Sequence, residues 1–306
     1  MTNGSARPTK KERQNAAREH ARQLREEAKK KARRRRIFTQ VGVGTGILVV
    51  LVVAAIVIVQ IAKPASTAGP KNMASDGIVL TSTTKAVSTP AIPNGGKPTP
   101  TKQDNDDGKA HILLYEDLQC PACQSFEETN DDQIASWLDA GTATIEIHPI
   151  AILDRMSGGN RYSSRAANAV ACVAQYEPSK FWAVNKAFYD DQPEENTGGA
   201  TDKEIIAKIK AGGVSSSKVT ACVKSEKFKG WVTEATDRIT PVGTKFPNSS
   251  VKVASTGFAT PTVLVNGKKY TGSITDAAAF KSFVESVAKG TTSATATPTP
   301  SASSAG

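Results

Sequence analysis

The alternation of apolar and polar positions divides the chain into one long uncharged run near its start, a central region of short mixed periods, and polar stretches between and beyond them. The uncharged run is residues 37–62, and within it 41–59 are apolar apart from Thr45 and the glycines. A helix rises about 1.5 Å per residue and about 20 apolar residues cross a bilayer core, so this run predicts a transmembrane helix. Gly42 and Gly46 sit four apart within it, a spacing that ordinary membrane-helix composition accounts for without a dimer face.

Past residue 108 the period changes. Residues 110–117 and 142–148 have the length and apolar content of strands, and 124–138 reads as a helix between them. Helical patterns follow at 160–176, 181–189, 201–210, 215–224 and 227–240, the third opened by a Thr201/Glu204 capping box and the last stopping before Pro241. In that last helix Phe228, Trp231, Val232, Ala235 and Ile239 form one apolar stripe. A strand at 262–265, a turn at Asn266-Gly267 and a strand at 268–271 read as a hairpin. The final helix, 276–289, is expected to be capped by Thr275, to bury Ala279, Phe280, Phe283, Val284 and Val287, and to end at Gly290. Strand, helix, strand, crossover, hairpin, helix is a small three-layer α/β order over residues 109–290, with a helical insertion at about 153–250. Residues 63–108, rich in Pro, Thr, Ser, Gly and Lys, predict a spacer that holds this domain off the membrane, with a possible extra strand at 78–81. Residues 291–306 contain only Thr, Ser, Ala, Pro and a last Gly, and predict a disordered tail.

Charge changes the picture in one place. The chain carries 39 Lys and Arg against 29 Asp and Glu, a net of +10, and residues 1–36 alone hold 14 and 4 of them. The whole excess therefore lies in an N-terminal tail, and the rest of the chain is neutral. No aromatic pattern or recognition fold accompanies that tail, so nucleic-acid binding finds no support in it. Arg33 to Arg36 abut the apolar run and a lone Lys63 follows it, which places the tail in the cytoplasm and the long C-terminal part outside. A cleaved signal peptide is the rival reading. Its apolar region would be shorter and its charged region less extended, and only Ser66-Thr67-Ala68 suits it.

The candidate chemistry is Cys120-Pro121-Ala122-Cys123, set directly after a strand and at the start of a helix. Free N–H groups and the positive dipole end at a helix start stabilise a thiolate on the first cysteine, making Cys120 the expected nucleophile and Cys123 the resolving thiol. Pro121 suits a first turn, where its missing N–H costs no hydrogen bond. Zinc is the alternative for a C-x-x-C, but it needs about four ligands. Cys172 and Cys222 are in no such pair, and His20, His111 and His148 show no ligand spacing. An inert structural disulfide is the other alternative. No cofactor or metal is expected.

The element order, Cys120-Pro121-Ala122-Cys123 on the first helix, and Ala259-Thr260-Pro261-Thr262-Val263-Leu264-Val265-Asn266-Gly267 before the hairpin together resemble the thioredoxin fold. More narrowly, they are similar to the membrane-anchored, DsbA-like thiol:disulfide oxidoreductases of actinobacteria. The resemblance covers about 78–289 and implies a helical domain inserted into the thioredoxin fold. It implies a cis bond before Pro261 facing the dithiol, with the Thr260 backbone offered to an extended substrate chain. Outside the cell Cys172 and Cys222, which fall in two of the inserted helices, are expected to pair with each other as a structural disulfide, the rival being a second exchange site. The implied activity is oxidation of exported proteins through a mixed disulfide at Cys120, with recharging by a membrane partner of the vitamin K epoxide reductase-like class. A reductase or isomerase of the same fold, and a non-catalytic tethered adaptor, are the alternatives. Two departures stand out: Ala122 occupies the place of the DsbA histidine, and Leu114 the place of a buried acid found in many relatives. Glu116 and Asp117 come later and read as solvated charges at a strand end, the alternative being that one of them assists deprotonation of Cys123, and His148, before Pro149, reads as a strand-end residue.

Overall fold

The computed structural model describes residues 67–105 and 107–290. The predicted membrane span, the basic tail and the C-terminal tail lie outside the described residues, among which no helix is long and apolar enough to cross a membrane.

Strands β1 (Ile78–Ser82), β2 (Lys85–Ala86), β3 (Ala110–Glu116), β4 (Ala143–Pro149), β5 (Thr262–Val265) and β6 (Lys268–Lys269) form one sheet in the order β2-β1-β4-β3-β5-β6. β3 and β4 run parallel, in register from Ala110 opposite Ala143 to Glu116 opposite Pro149. β5 is antiparallel to β3, with Thr262 opposite Tyr115. Every residue of β3 is buried, as a central strand covered on both faces requires. Its alternation sends Ile112 and Leu114 into the main core and Leu113 and Tyr115 into a smaller one with Ile150, Phe246, Val253 and Leu264.

Helix α1 (Pro121–Asp139) and helix α7 (Ala277–Ala288) cover the first face, joined by an edge-to-face contact of Phe126 and Phe280 at 5.3 Å. The crossover holds α2 (Tyr162–Tyr176), α3 (Phe181–Asp190), α4 (Asp202–Ala211), α5 (Ser217–Lys224) and α6 (Lys229–Ile239), close to the five helices expected there. Both halves of the Thr201/Glu204 capping box are present. Asn266 and Gly267 both take positive φ, 45° and 76°, as a tight hairpin turn between twisted strands demands. β6 is shorter than expected because the chain turns at Tyr270, whose hydroxyl donates to the Ser273 carbonyl at 2.8 Å.

Two sequence expectations are corrected. Asp276, not Thr275, caps α7: its Oδ1 accepts from the Ala279 N–H at 2.9 Å, while the Thr275 hydroxyl faces that of Ser273. A carboxylate is the stronger acceptor at the positive end of a helix. The second correction concerns the segment read as a spacer, much of which is part of the fold. Met73 and Ile78 are completely buried, and Ile92 is nearly so. The Trp231 N–H donates to the Thr67 hydroxyl, its indole N–H donates to Asp76, and Arg238 grips Asp76 with Nε and an Nη at 2.7 Å each. Gly69 lies so close to Trp231 that an added Cβ would sit 2.9 Å from the ring. The expected strand at 78–81 is β1, which pairs with β4.

Candidate active site

The turn between β3 and α1 is built by Asp117. Its Oδ1 accepts from the Gln119 N–H at 2.9 Å, its carbonyl accepts from the Cys120 N–H at 2.9 Å, and its Oδ2 accepts from the N–H groups of Ile152 and Leu153 at 2.8 and 3.0 Å. Cys120 thereby lands in the N-cap position with extended backbone, Pro121 opens the helix, and Cys123 follows in its first turn. The Cys120 carbonyl accepts from the N–H groups of Cys123 and Gln124 at 3.0 and 3.1 Å. The Gln192 amide, arriving from the loop after α3, donates to the carbonyls of Leu118 and Cys120 at 3.1 and 3.2 Å. The loop before β5 meets the same sulfur from the other side. The Thr260–Pro261 bond is cis, and the Thr260 carbonyl lies 3.5 Å from the Cys120 Sγ.

Cys120 and Cys123 are free thiols with different surroundings. Cys123 is 1% exposed and Cys120 is 7% exposed, so only Cys120 offers surface to another sulfur. The Cys120 thiol is pulled down to about 6, first by the hydrogen bond from Cys123 and further by the Thr260 side chain and the backbone N–H groups of Cys123 and Ala122, against a rise from burial. The Thr260 carbonyl is an acceptor and favours the protonated thiol, so the Cys123 hydrogen bond, with the helix-start N–H donors behind it, carries the net effect. Burial pushes the Cys123 thiol well up, and the neighbouring Cys120 and Glu116 push it the same way. One sulfur is thus poised as a thiolate and the other is held as a thiol.

Glu116 and Asp117 are not the solvated strand-end charges their sequence suggests, since both are completely buried. The end of β3 is roofed by α1, α3 and the first residues of the insertion, contacts that no local pattern announces. Burial is the main cause that raises Glu116 to about 7; Asn185, Glu127 and Tyr189 temper the rise, and Asp117 adds to it. None of these neighbours gives either Glu116 oxygen a hydrogen bond of acceptable geometry. Glu127, on α1, was not singled out in the sequence, although its place four residues after Cys123 puts it on the same helical stripe. A carboxyl raised by burial contributes its stability below the unfolded pKa and loses it as pH rises through about 7. Glu116→Gln should therefore stabilise the reduced protein by roughly 2 kcal/mol at pH 8 and hardly at pH 5. Denaturant titrations at the two pH values check this, and equal midpoint shifts at both would remove ionisation as the cause.

The remaining residues of interest lie elsewhere. His148 is buried on the opposite sheet face, stacked on Tyr115 at 4.3 Å and paired with Glu146 at 3.0 Å, and is no part of the dithiol site. Ala122 leaves the dithiol without an imidazole neighbour on the helix. Cys172 in α2 and Cys222 in α5 form a disulfide, both buried, with Cα atoms 5.8 Å apart. Among the described residues no group of three His, Cys, Asp or Glu side chains is arranged to hold a metal ion.

A parallel β3–β4 pair, a helix opened by two cysteines and a cis-proline loop against the first of them define a thioredoxin-fold dithiol site. A family model described as thioredoxin matches residues 98–286, and the chain belongs to that family. Among solved structures, oxidised DsbA of Mycobacterium tuberculosis is 27% identical, with 69% of this chain and 92% of that one covered and a TM-score of 0.50. The reduced disulfide bond oxidoreductase DsbG of the same organism is 28% identical over 64% of this chain and 90% of that one, with a TM-score of 0.48. MdbA of Corynebacterium diphtheriae, a thiol-disulfide oxidoreductase, is 20% identical over 74% and 96%, with a TM-score of 0.48. No curated protein sequence matches the chain. The protein is a DsbA-like thiol:disulfide oxidoreductase.

Proposed function

We propose that the protein is an extracytoplasmic disulfide oxidase, anchored by residues 37–62 with its N-terminus in the cytoplasm. The observation that carries the direction of reaction is the stabilised Cys120 thiolate. A dithiol whose reduced form is stabilised makes its disulfide a stronger oxidant. In the oxidising half, a substrate thiolate attacks the Cys120 sulfur of the Cys120–Cys123 disulfide. The bond between the two cysteines breaks, and Cys123 leaves and takes a proton. A second substrate thiolate then attacks the substrate sulfur of the mixed disulfide, closing the substrate's bond and expelling Cys120 as its stable thiolate. Two electrons have passed to the enzyme, and a membrane partner of the vitamin K epoxide reductase-like class removes them. Thr260 and Pro261 border the attacked sulfur, where they would align an extended substrate strand.

Equilibration of the Cys120/Cys123 pair with glutathione tests the direction. An oxidase requires a potential above about −200 mV, and one near the thioredoxin value of about −270 mV would assign a reductase instead. With Ala122 in place of histidine, the expected value lies below the DsbA extreme of about −120 mV. Orientation is tested separately by adding protease to cells stripped of their wall. The domain should be digested and residues 1–36 spared, and digestion of the tail instead would reverse the topology.

A further inference from the structure

Docked chain begins at Thr67, whose hydroxyl accepts from the Trp231 N–H at 3.0 Å. The uncharged run ends at residue 62, and five residues of fully extended chain cover about 17 Å at most. The place where the chain joins the domain therefore lies within that distance of any bilayer the run crosses. A true spacer would have left it free.

Four lysines surround this entry, and all four are exposed. The Lys71 N–H donates to the Gln175 side chain at 2.8 Å on the last turn of α2, and the Lys227 Nζ donates to the Tyr176 hydroxyl at 2.8 Å where that helix ends. Lys180 follows in the turn Pro178–Lys180, and β2, which carries Lys85, packs beside that turn. Among the described residues none of the four pairs with a carboxylate. The acids nearby are engaged by other groups. Glu177 accepts from the N–H groups of Ser215 and Ser216 at 3.3 and 2.6 Å, Glu226 is shared by Arg161 and Lys229 at 3.0 and 3.2 Å, and buried Asp76 is held by Arg238 at 2.7 Å. The face keeps a positive excess, although the chain beyond residue 36 is neutral as a whole. Such a local excess attracts an anionic surface, and most strongly one kept close by a tether.

We propose that the face bearing Lys71, Lys85, Lys180 and Lys227 rests on the anionic phospholipid headgroups of the bilayer that residues 37–62 cross. The proposal rests on the reading of that run as an anchor. It also sets the reach of the dithiol, because α2 links the two places. The Ser163 hydroxyl near its start donates to the Gln119 side chain, next to Cys120, at 3.3 Å, and its Ala174 carbonyl accepts from the Asn72 side chain at 2.7 Å. Eleven residues of helix separate those contacts, about 16 Å. A domain seated on this face holds its dithiol loop one helix length from the headgroups, within reach of a recharging partner embedded in the bilayer.

The test uses the full chain reconstituted into vesicles of phosphatidylcholine, alone or with about one third phosphatidylglycerol. A membrane-impermeant amine reagent acylates the exposed lysines, and mass spectrometry reads each site. Lys268 and Lys269, on β6 at the opposite edge of the sheet from β2, serve as the internal reference. Relative to them, the four lysines should be labelled roughly five- to tenfold more slowly in the anionic vesicles only, and about 0.5 M salt should remove the difference. In a Lys85→Gln/Lys180→Gln/Lys227→Gln variant, changed only at exposed positions, Lys71 keeps its tether and should lose its protection. Equal labelling in the two kinds of vesicle overturns the contact. Lys71 that stays protected in the triple variant overturns it as well, and assigns the protection to the tether alone. A full chain that fails to float with vesicles of either composition refutes the anchor itself, and the seated face with it.

Discussion

Cys123→Ala should accumulate covalent adducts with cysteine-containing substrates through Cys120, and Cys120→Ala should trap almost none. The asymmetry follows from position. Cys120 is the N-cap residue, with a thiol drawn down to about 6 and the larger exposure of the pair, so at neutral pH it is mainly a thiolate within reach of a partner. Cys123 is enclosed by protein and held as a thiol well above the ordinary range. Without Cys123, an adduct at Cys120 is resolved only by another incoming thiol, so it persists. In the reduced protein that keeps Cys123, whose hydrogen bond is the largest cause of the lowered value, alkylation of Cys120 by iodoacetamide should reach half its plateau near pH 6. Non-reducing gels of the two variants decide the matter: if Cys120→Ala is the better trap, the helix-start donors do not set reactivity here.

Replacing Cys172 and Cys222 together by Ala should lower stability by about 4 kcal/mol, an upper figure from the loop-closure entropy of 50 residues. The bond ties α2 to α5, both within the insertion, and both of its cysteines are buried. Per-molecule activity should therefore fall far less than the unfolding midpoint. Mild reductant should meet the Cys120/Cys123 disulfide of the oxidised protein first. Mass mapping that joined Cys172 to Cys120 or Cys123 would contradict the pairing, and an unchanged denaturation midpoint would contradict its structural weight.

The parts of this site legible in the sequence are those fixed by neighbours in the chain. Cysteines at a strand-to-helix junction, Pro121 in a first turn, Thr260-Pro261 before a hairpin and Asn266-Gly267 within it each carry their geometry locally. Glu116 and Asp117 could not be placed that way. Two acids at a strand end look solvated until α3 and the residues after β4 close over them, and those residues are distant in sequence. The segment before residue 102 was obscured for a related reason. Its Pro, Thr and Gly content reads as spacer, yet a few residues, Met73, Asp76, Ile78 and Ile92, dock into ready-made places on the domain. Glu127 had a usable signal, a carboxyl one helical turn beyond the resolving cysteine, on a helix already expected to pack against the sheet.

Asp117 also decides whether the inserted helices are a detachable module. Its carboxylate sits at the end of β3, but two of its donors, the N–H groups of Ile152 and Leu153, belong to the chain entering the insertion. Splicing out the insertion to leave a minimal domain would strand a buried acid in the turn that aims Cys120, where an unpartnered charge is expensive. A shortened scaffold would need Asp117 replaced in the same step, by a residue able to hold the Gln119 N–H without a charge. Transplanting the dithiol loop into another scaffold faces the same dependence, because the aim of its first sulfur is set by backbone about thirty residues downstream.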